Sequence, residues 1–125
     1  MEDKIRSHRD LKAYKKAFEM AMRIFEISKD FPKAETYSLT DQIRRSSRSV
    51  CSNLAEGFRR RKYPNSFINC LNIAEAEAAE TQVWLDFAFS CQYIPSSTHD
   101  ELFQEYENVI GMLVNMQKNP EKWKI

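Results

Sequence analysis

The sequence predicts an all-α protein, an antiparallel up-down-up-down four-helix bundle. Its 125 residues include only two glycines and four prolines, too few for the many turns of a β-rich fold. Apolar residues also recur every three or four positions in four segments, the spacing that gives a helix one apolar face. The length suits one core, so residues 1–125 are expected to form a single domain with flexible termini.

The first helix is expected over roughly residues 10–30, and it ends where Phe31 precedes Pro32. Its apolar residues form two neighbouring stripes, and the first has the heptad spacing of a bundle seam. The first stripe contains Leu11, Tyr14, Phe18, Ala21 and Phe25, and the second contains Ala13, Ala17, Met20, Ile24 and Ile27. Together they make a face wider than one helix partner needs.

The second helix is expected over roughly residues 39–60. Ile43, Val50 and Leu54 lie on one face of it and form its core stripe. Gly57 lies near its predicted end, where glycine is typical of a C-terminal cap.

The third helix is expected over roughly residues 64–94, with Pro64 in its first turn, and the fourth over roughly 98–119. Because only short turns separate the last three helices, successive helices should run antiparallel.

Charge is segregated along the chain although the net charge is only +1. Residues 44–62 are strongly basic, whereas residues 63–108 contain acids but no lysine or arginine. Such a separation of charge along the chain indicates binding partners or self-association more than it indicates a particular fold. No segment is apolar enough to span a membrane, and three cysteines without a C-x-x-C motif suggest reduced thiols, so a cytoplasmic location is expected.

Arg44 and Arg45 are expected to pair with Glu77 and Glu80, in the same subunit or in its neighbour, and phosphate contact is the alternative for both arginines. The two glutamates lie on a partly apolar face of the third helix, where an unpaired carboxylate would be costly. These residues are therefore expected to stabilise the fold and the assembly of subunits.

A second basic group is the candidate nucleic-acid contact, because clustered cations release counterions when they bind a polyanion. The neighbouring aromatic residues Phe58 and Tyr63 could stack on unpaired bases. A solvated loop is the alternative for the run at the helix end. The candidates are Arg48, Arg59, Arg60, Arg61 and Lys62.

Catalytic, metal-binding and cofactor-binding functions are not expected. Glu75–Glu80 is rich in glutamate, but neither His8 nor His99 follows a glutamate at the spacing of di-iron bundles. No pattern links Cys51 to a histidine, and no glycine-rich phosphate loop occurs.

The segment from Phe31 to Arg60 resembles the signature of the 23S rRNA-intervening-sequence protein family, also called four-helix bundle proteins. The matching elements are Phe31-Pro32, Glu35, Gln42-Ile43-Arg44-Arg45 and Asn53-Leu54-Ala55-Glu56-Gly57. Weaker matches at Leu11, Ala17, Phe67, Leu71, Ala74, Glu80 and Leu85 extend the resemblance to nearly the whole chain.

The resemblance implies a small bacterial protein of poorly understood role that assembles into homopentameric rings, often encoded within large-subunit rRNA genes. RNA binding is a further implication. It also implies an alternative, an accessory protein of a diversity-generating retroelement that binds a reverse transcriptase and nucleic acid. Ser46 and Ser47 depart from the small apolar residues more usual in the family, which leaves tight packing there in question.

The apolar surface supports self-association on separate grounds. The double stripe of the first helix, together with Trp84 and Phe87 of the third, exceeds what one bundle core requires. Large exposed apolar patches usually mark interfaces, although a wide core is the alternative.

Overall fold

The computed structural model describes residues 5–124, and four α-helices account for most of them. The helices are α1 (Lys12–Ser28), α2 (Asp41–Arg59), α3 (Pro64–Ser90) and α4 (Ser96–Lys118). Helix α1 packs against α2 and α4, and α3 packs against the same two helices, so α1 and α3 lie diagonally across the bundle. The predicted all-α bundle is confirmed, and the described residues form no strand.

Helices α1, α2 and α3 are shorter than predicted, whereas α4 begins two residues earlier than predicted and ends one residue earlier. Helix α3 ends four residues early because Gln92 adopts a left-handed backbone conformation with φ of 65°. The amide of Tyr93 then donates to the carbonyl of Ala88 over 2.8 Å, the closure typical of a helix C-terminus. Helix α1 begins after a separate 3₁₀ turn, His8–Asp10, which Ser7 caps.

Short 3₁₀ turns lie near both ends of the described chain, where flexible termini are predicted. Residues His8–Asp10 and Pro120–Lys122 form 3₁₀ turns, and Trp123 packs against the core. The rest of the prediction concerns residues 1–4 and 125, which lie outside the described part of the chain. Within residues 5–124, no helix is both long and apolar enough to cross a membrane.

The core of α1 uses mainly the second apolar stripe, although Leu11 and Ala21 of the predicted heptad seam are also buried. Ala13, Ala17, Met20 and Ile24 are buried, whereas Phe18 of the first stripe is half exposed. Alanine at two of the buried positions lets the neighbouring helices approach closely, and the bulky aromatic residues are displaced to the edge of the face.

Helix α2 packs tightly against α3 through small residues. Ser46 and Ser47 are buried, and the Ser46 hydroxyl lies 2.8 Å from that of Thr81, so the serines do not loosen the packing. Gly57 is buried inside α2, and a side chain there would begin 3.1 Å from Cβ of Cys70. The predicted C-cap role of Gly57 is therefore wrong, because the residue provides space for α3 and Arg60 ends the helix instead.

Candidate assembly and nucleic-acid surfaces

Arg45 contacts both of the glutamates suggested by the sequence. Its guanidinium lies 3.3 Å from a carboxylate oxygen of Glu77 and 2.9 Å from one of Glu80, and all three residues belong to one subunit. Burial, and then the neighbouring Glu77, raise the pKa of Glu80, while Arg45 opposes that shift. The arginine thus compensates two adjacent carboxylates that would otherwise repel each other.

Arg44 does not pair with a carboxylate among the described residues of its own subunit, and its pairing with Glu77 or Glu80 of a neighbouring subunit stays a prediction. It lies on the side of α2 that faces α1, about 100° around the helix axis from Arg45. Its Nε donates to the hydroxyl of Ser28 over 2.8 Å, and its guanidinium lies 4.9 Å from the ring centre of Phe25.

The basic turn between α2 and α3 is only partly available for ligands. Arg61 is docked, because its Nε donates to the carbonyl of Phe58 and its guanidinium lies 3.6 Å from the centre of that ring. Burial, followed by the charge of Arg59, lowers the pKa of Arg61. Arg60 donates to the hydroxyl of Ser66 over 3.3 Å.

The remaining cations of the turn, Arg59 and Lys62, form no ion pair with any described carboxylate. Arg59 is exposed, and Nζ of Lys62 lies 5.4 Å from the ring centre of Tyr63. Tyr63 is 60% exposed and can stack on a base, whereas Phe58 is buried and cannot. Arg48, the last predicted contact, is exposed on α2 beside Phe25.

The structure also reveals two exposed apolar faces, on α1 and α3. On α1, Phe18 and Met22 are about half exposed and line a shallow groove of about 620 Å³. On α3, Ile73, Val83 and Phe87 are exposed on the outer side of the helix, and Phe89 is exposed near its end. The sequence indicated surplus apolar surface, but it could not show that the two faces lie on diagonal helices.

Nucleophilic and metal-binding groups are not assembled into a site in the described residues. Burial raises the pKa of the Cys51 thiol to about 11, which makes it a poor nucleophile at neutral pH. No group of three or more histidine, cysteine, aspartate or glutamate side chains could hold a metal ion between residues 5 and 124.

Replacing Arg45 with alanine is expected to lower the free energy of unfolding by about 1 kcal/mol near pH 7, because the pair is half exposed. The loss should shrink as the pH falls through the raised pKa of Glu80, since a protonated Glu80 no longer needs the cation. Urea unfolding at several pH values measures both effects. Arg59→Ala removes the same charge without an ion pair, and an equal loss in that control would contradict the assignment.

The sequence and the fold both match known proteins. The sequence model of the 23S rRNA-intervening sequence protein family matches residues 9–115. A crystal structure from Bacteroides thetaiotaomicron, described as a protein of unknown function from the S23 ribosomal protein family, is similar with a TM-score of 0.76 and 28% sequence identity. That similarity covers 85% of this chain and 95% of the other. Comparison with curated proteins gives no match.

The match over residues 9–115 spans most of the chain and includes α1, α2, α3 and nearly all of α4. It therefore covers the Arg45 ion pairs, the basic turn and both apolar faces. The chain belongs to the 23S rRNA-intervening sequence protein family.

Proposed function

We propose that the protein is a non-enzymatic, self-assembling scaffold of the cytoplasm, in which the outer face of α1 docks on the outer face of α3 of another copy. The observation that carries this proposal is the presence of two separate apolar faces on diagonal helices. Because each packs against α2 and α4 on its inner side, the outer faces point away from each other.

The composition of the α3 face supports an interface. Val83 and Phe87 are 46% and 54% exposed, and exposed Ala76 and Ala79 leave room for a partner helix. Glu80, which adjoins them, is already paired with Arg45. Burying this face would therefore desolvate few uncompensated charges, as is typical of interface centres.

Opposite, non-identical faces favour head-to-tail assembly. A contact between α1 of one copy and α3 of the next leaves one free face at each end of the chain of subunits. Such heterologous contacts form a closed ring when the rotation between subunits closes. The family resemblance suggests five subunits in the ring.

Light scattering coupled to size exclusion tests the proposal with the full-length protein at micromolar concentration. The expected mass is a multiple of 14.8 kDa, and a single species of about 15 kDa would overturn self-assembly. Phe87→Glu should shift the population to the monomer, because association would bury an unpaired carboxylate. Tyr37→Glu alters an aromatic residue that is 81% exposed in the α1–α2 connection and should leave the mass unchanged.

Nucleic-acid binding is the second candidate function, and the exposed Tyr63 beside Lys62 and Arg59 favours it. Binding to RNA or DNA through these residues should weaken as the salt concentration rises. A reverse transcriptase is the partner in the alternative suggested by the family resemblance. Copurification with the enzyme encoded beside the gene would support it.

A further inference from the structure

Three cations of α1, α2 and the connection between them converge on one aromatic ring. Nζ of Lys29 and the guanidinium carbons of Arg44 and Arg48 lie 4.8, 4.9 and 5.9 Å from the ring centre of Phe25. We call Phe25, Lys29, Arg44 and Arg48 the Phe25 cluster. The face of the ring attracts each cation, but the cations repel one another.

The central cation of the Phe25 cluster is held in position. Ser28 is buried, and its hydroxyl accepts from Nε of Arg44 while donating to the carbonyl of Phe25 over 3.0 Å. The terminal amino groups of Arg44 form no hydrogen bond with described residues. They remain as a fixed pair of donors, the geometry that suits a phosphate or carboxylate group.

Carboxylates of the same chain provide little compensation for this charge. Lys29 pairs with Glu26 over 3.2 Å, but Arg44 and Arg48 have no ion pair within the described residues. Asp41 lines the same shallow groove on α2 as these two arginines, yet it forms no ion pair with either. The groove, of about 580 Å³, also exposes Ser49 and Ser52.

The acidic segment of a second copy is poorly suited to provide the missing anion. The acidic segment, residues 63–108, carries eight carboxylates, and each is already hydrogen-bonded to a side chain of its own subunit. These are Glu75, Glu77, Glu80, Asp86, Asp100, Glu101, Glu105 and Glu107. Docking these eight carboxylates on the Phe25 cluster would require existing contacts to be shared or broken, whereas binding an external anion would not.

The free cations continue along one helix. Arg44 and Arg59 are separated by fifteen residues of α2, which corresponds to about 22 Å. Lys62 and the exposed Tyr63 follow at the end of that helix. Cations distributed over such a length match a repeating polyanion better than a single small ion.

We propose that the Phe25 cluster binds phosphate groups of a nucleic-acid strand whose backbone follows α2 toward Arg59 and Lys62. This proposal rests on the nucleic-acid candidate described above and is independent of self-assembly. It assigns Arg44 and Arg48 as the main phosphate contacts, with Lys29 as a third.

The test measures binding of the full-length protein to a fluorescent RNA duplex of about 20 base pairs and to a single strand of the same length, from about 50 to about 300 mM salt. The variant Arg44→Gln/Arg48→Gln should weaken binding at least about tenfold at the lowest salt and reduce the log–log salt slope by about two. Arg44→Lys/Arg48→Lys should keep the salt slope, because it keeps the charge, but should lose part of the affinity, because lysine lacks the paired donors of a guanidinium. Thermal melting verifies that each variant is folded.

A matched control separates these contacts from net charge. Lys16→Gln/Arg23→Gln also removes two cations, but these pair with Glu105 and Glu101 on the α1–α4 side of the bundle. We expect less than about a threefold change in affinity, because cations already paired with carboxylates neutralise few phosphates and so release few counterions from the RNA. An equal loss in both double variants would overturn the proposal.

The remaining outcomes distinguish this proposal from those above. Suppose that Arg44→Gln/Arg48→Gln leaves RNA binding unchanged but Arg59→Gln/Lys62→Gln abolishes it. That result would overturn phosphate binding by the Phe25 cluster and leave the nucleic-acid candidate in place. No binding by the wild type at low salt would overturn both. A change in assembly mass without a change in RNA affinity would assign the cluster to a second copy and overturn a phosphate site.

Discussion

Replacing Gly57 with leucine is expected to lower the free energy of unfolding by about 3 kcal/mol, the largest effect of any substitution considered. Gly57 is buried where α2 crosses α3, and an added Cβ would lie 3.1 Å from Cβ of Cys70 and 3.6 Å from the carbonyl oxygen of Phe67. The rest of a leucine side chain cannot fit there unless the two helices separate. Urea unfolding followed by circular dichroism measures the loss.

Gly111 provides the matched control because it is the other glycine of the chain and also lies within a helix. No atom approaches within 4 Å of a Cβ built there, so Gly111→Leu should stabilise the protein by up to about 1 kcal/mol through helix propensity. A Gly57→Leu protein within about 0.5 kcal/mol of the wild type would show that α2 and α3 do not need this close approach.

Gly57 also illustrates what the sequence could and could not predict. Glycine near the end of an amphipathic pattern is typical of a helix cap, and spacing alone favoured that interpretation. The structural role depends on Cys70 and Phe67, which approach Gly57 only after the bundle forms. Helix number and approximate bounds follow from periodicity, whereas close contacts between helices depend on tertiary packing.

The same limit explains the incorrect seam on α1. Two apolar stripes run side by side, and a heptad pattern cannot decide which one the other helices cover. In the structure, Ala17 and Ile24 face the core while Phe18 lies at the surface. The choice depends on the size of the residues on the other three helices.

The arginines of α2 were predicted only in part. Arg45 has its carboxylate partners because its position along α2 turns it toward α3, as helical geometry indicated. Arg44 is adjacent in sequence but about 100° away around the helix, so it meets Phe25 of α1 instead. The sequence indicated the partners of Arg45 on α3, but it did not indicate those of Arg44 on α1.

The hydroxyl of Tyr106 is the next feature with a large expected effect on stability. Tyr106 is fully buried in α4, and no described nitrogen or oxygen lies within hydrogen-bonding distance of its hydroxyl. Burial, and then the nearby Cys51, raise the pKa of the phenol, which keeps it neutral. A buried polar group without a partner costs about 1–3 kcal/mol in lost hydration.

Replacing Tyr106 with phenylalanine is therefore expected to raise the free energy of unfolding by about 1 kcal/mol, because the gain from removing the hydroxyl exceeds the cost of a small void. Urea unfolding measures the change, and Tyr37→Phe, at an exposed tyrosine, should leave stability within about 0.5 kcal/mol of the wild type. A Tyr106→Phe protein less stable than the wild type would show that the hydroxyl has a favourable partner in solution. That partner would have to lie inside the bundle, since Tyr106 has no exposed surface through which an outside group could reach it.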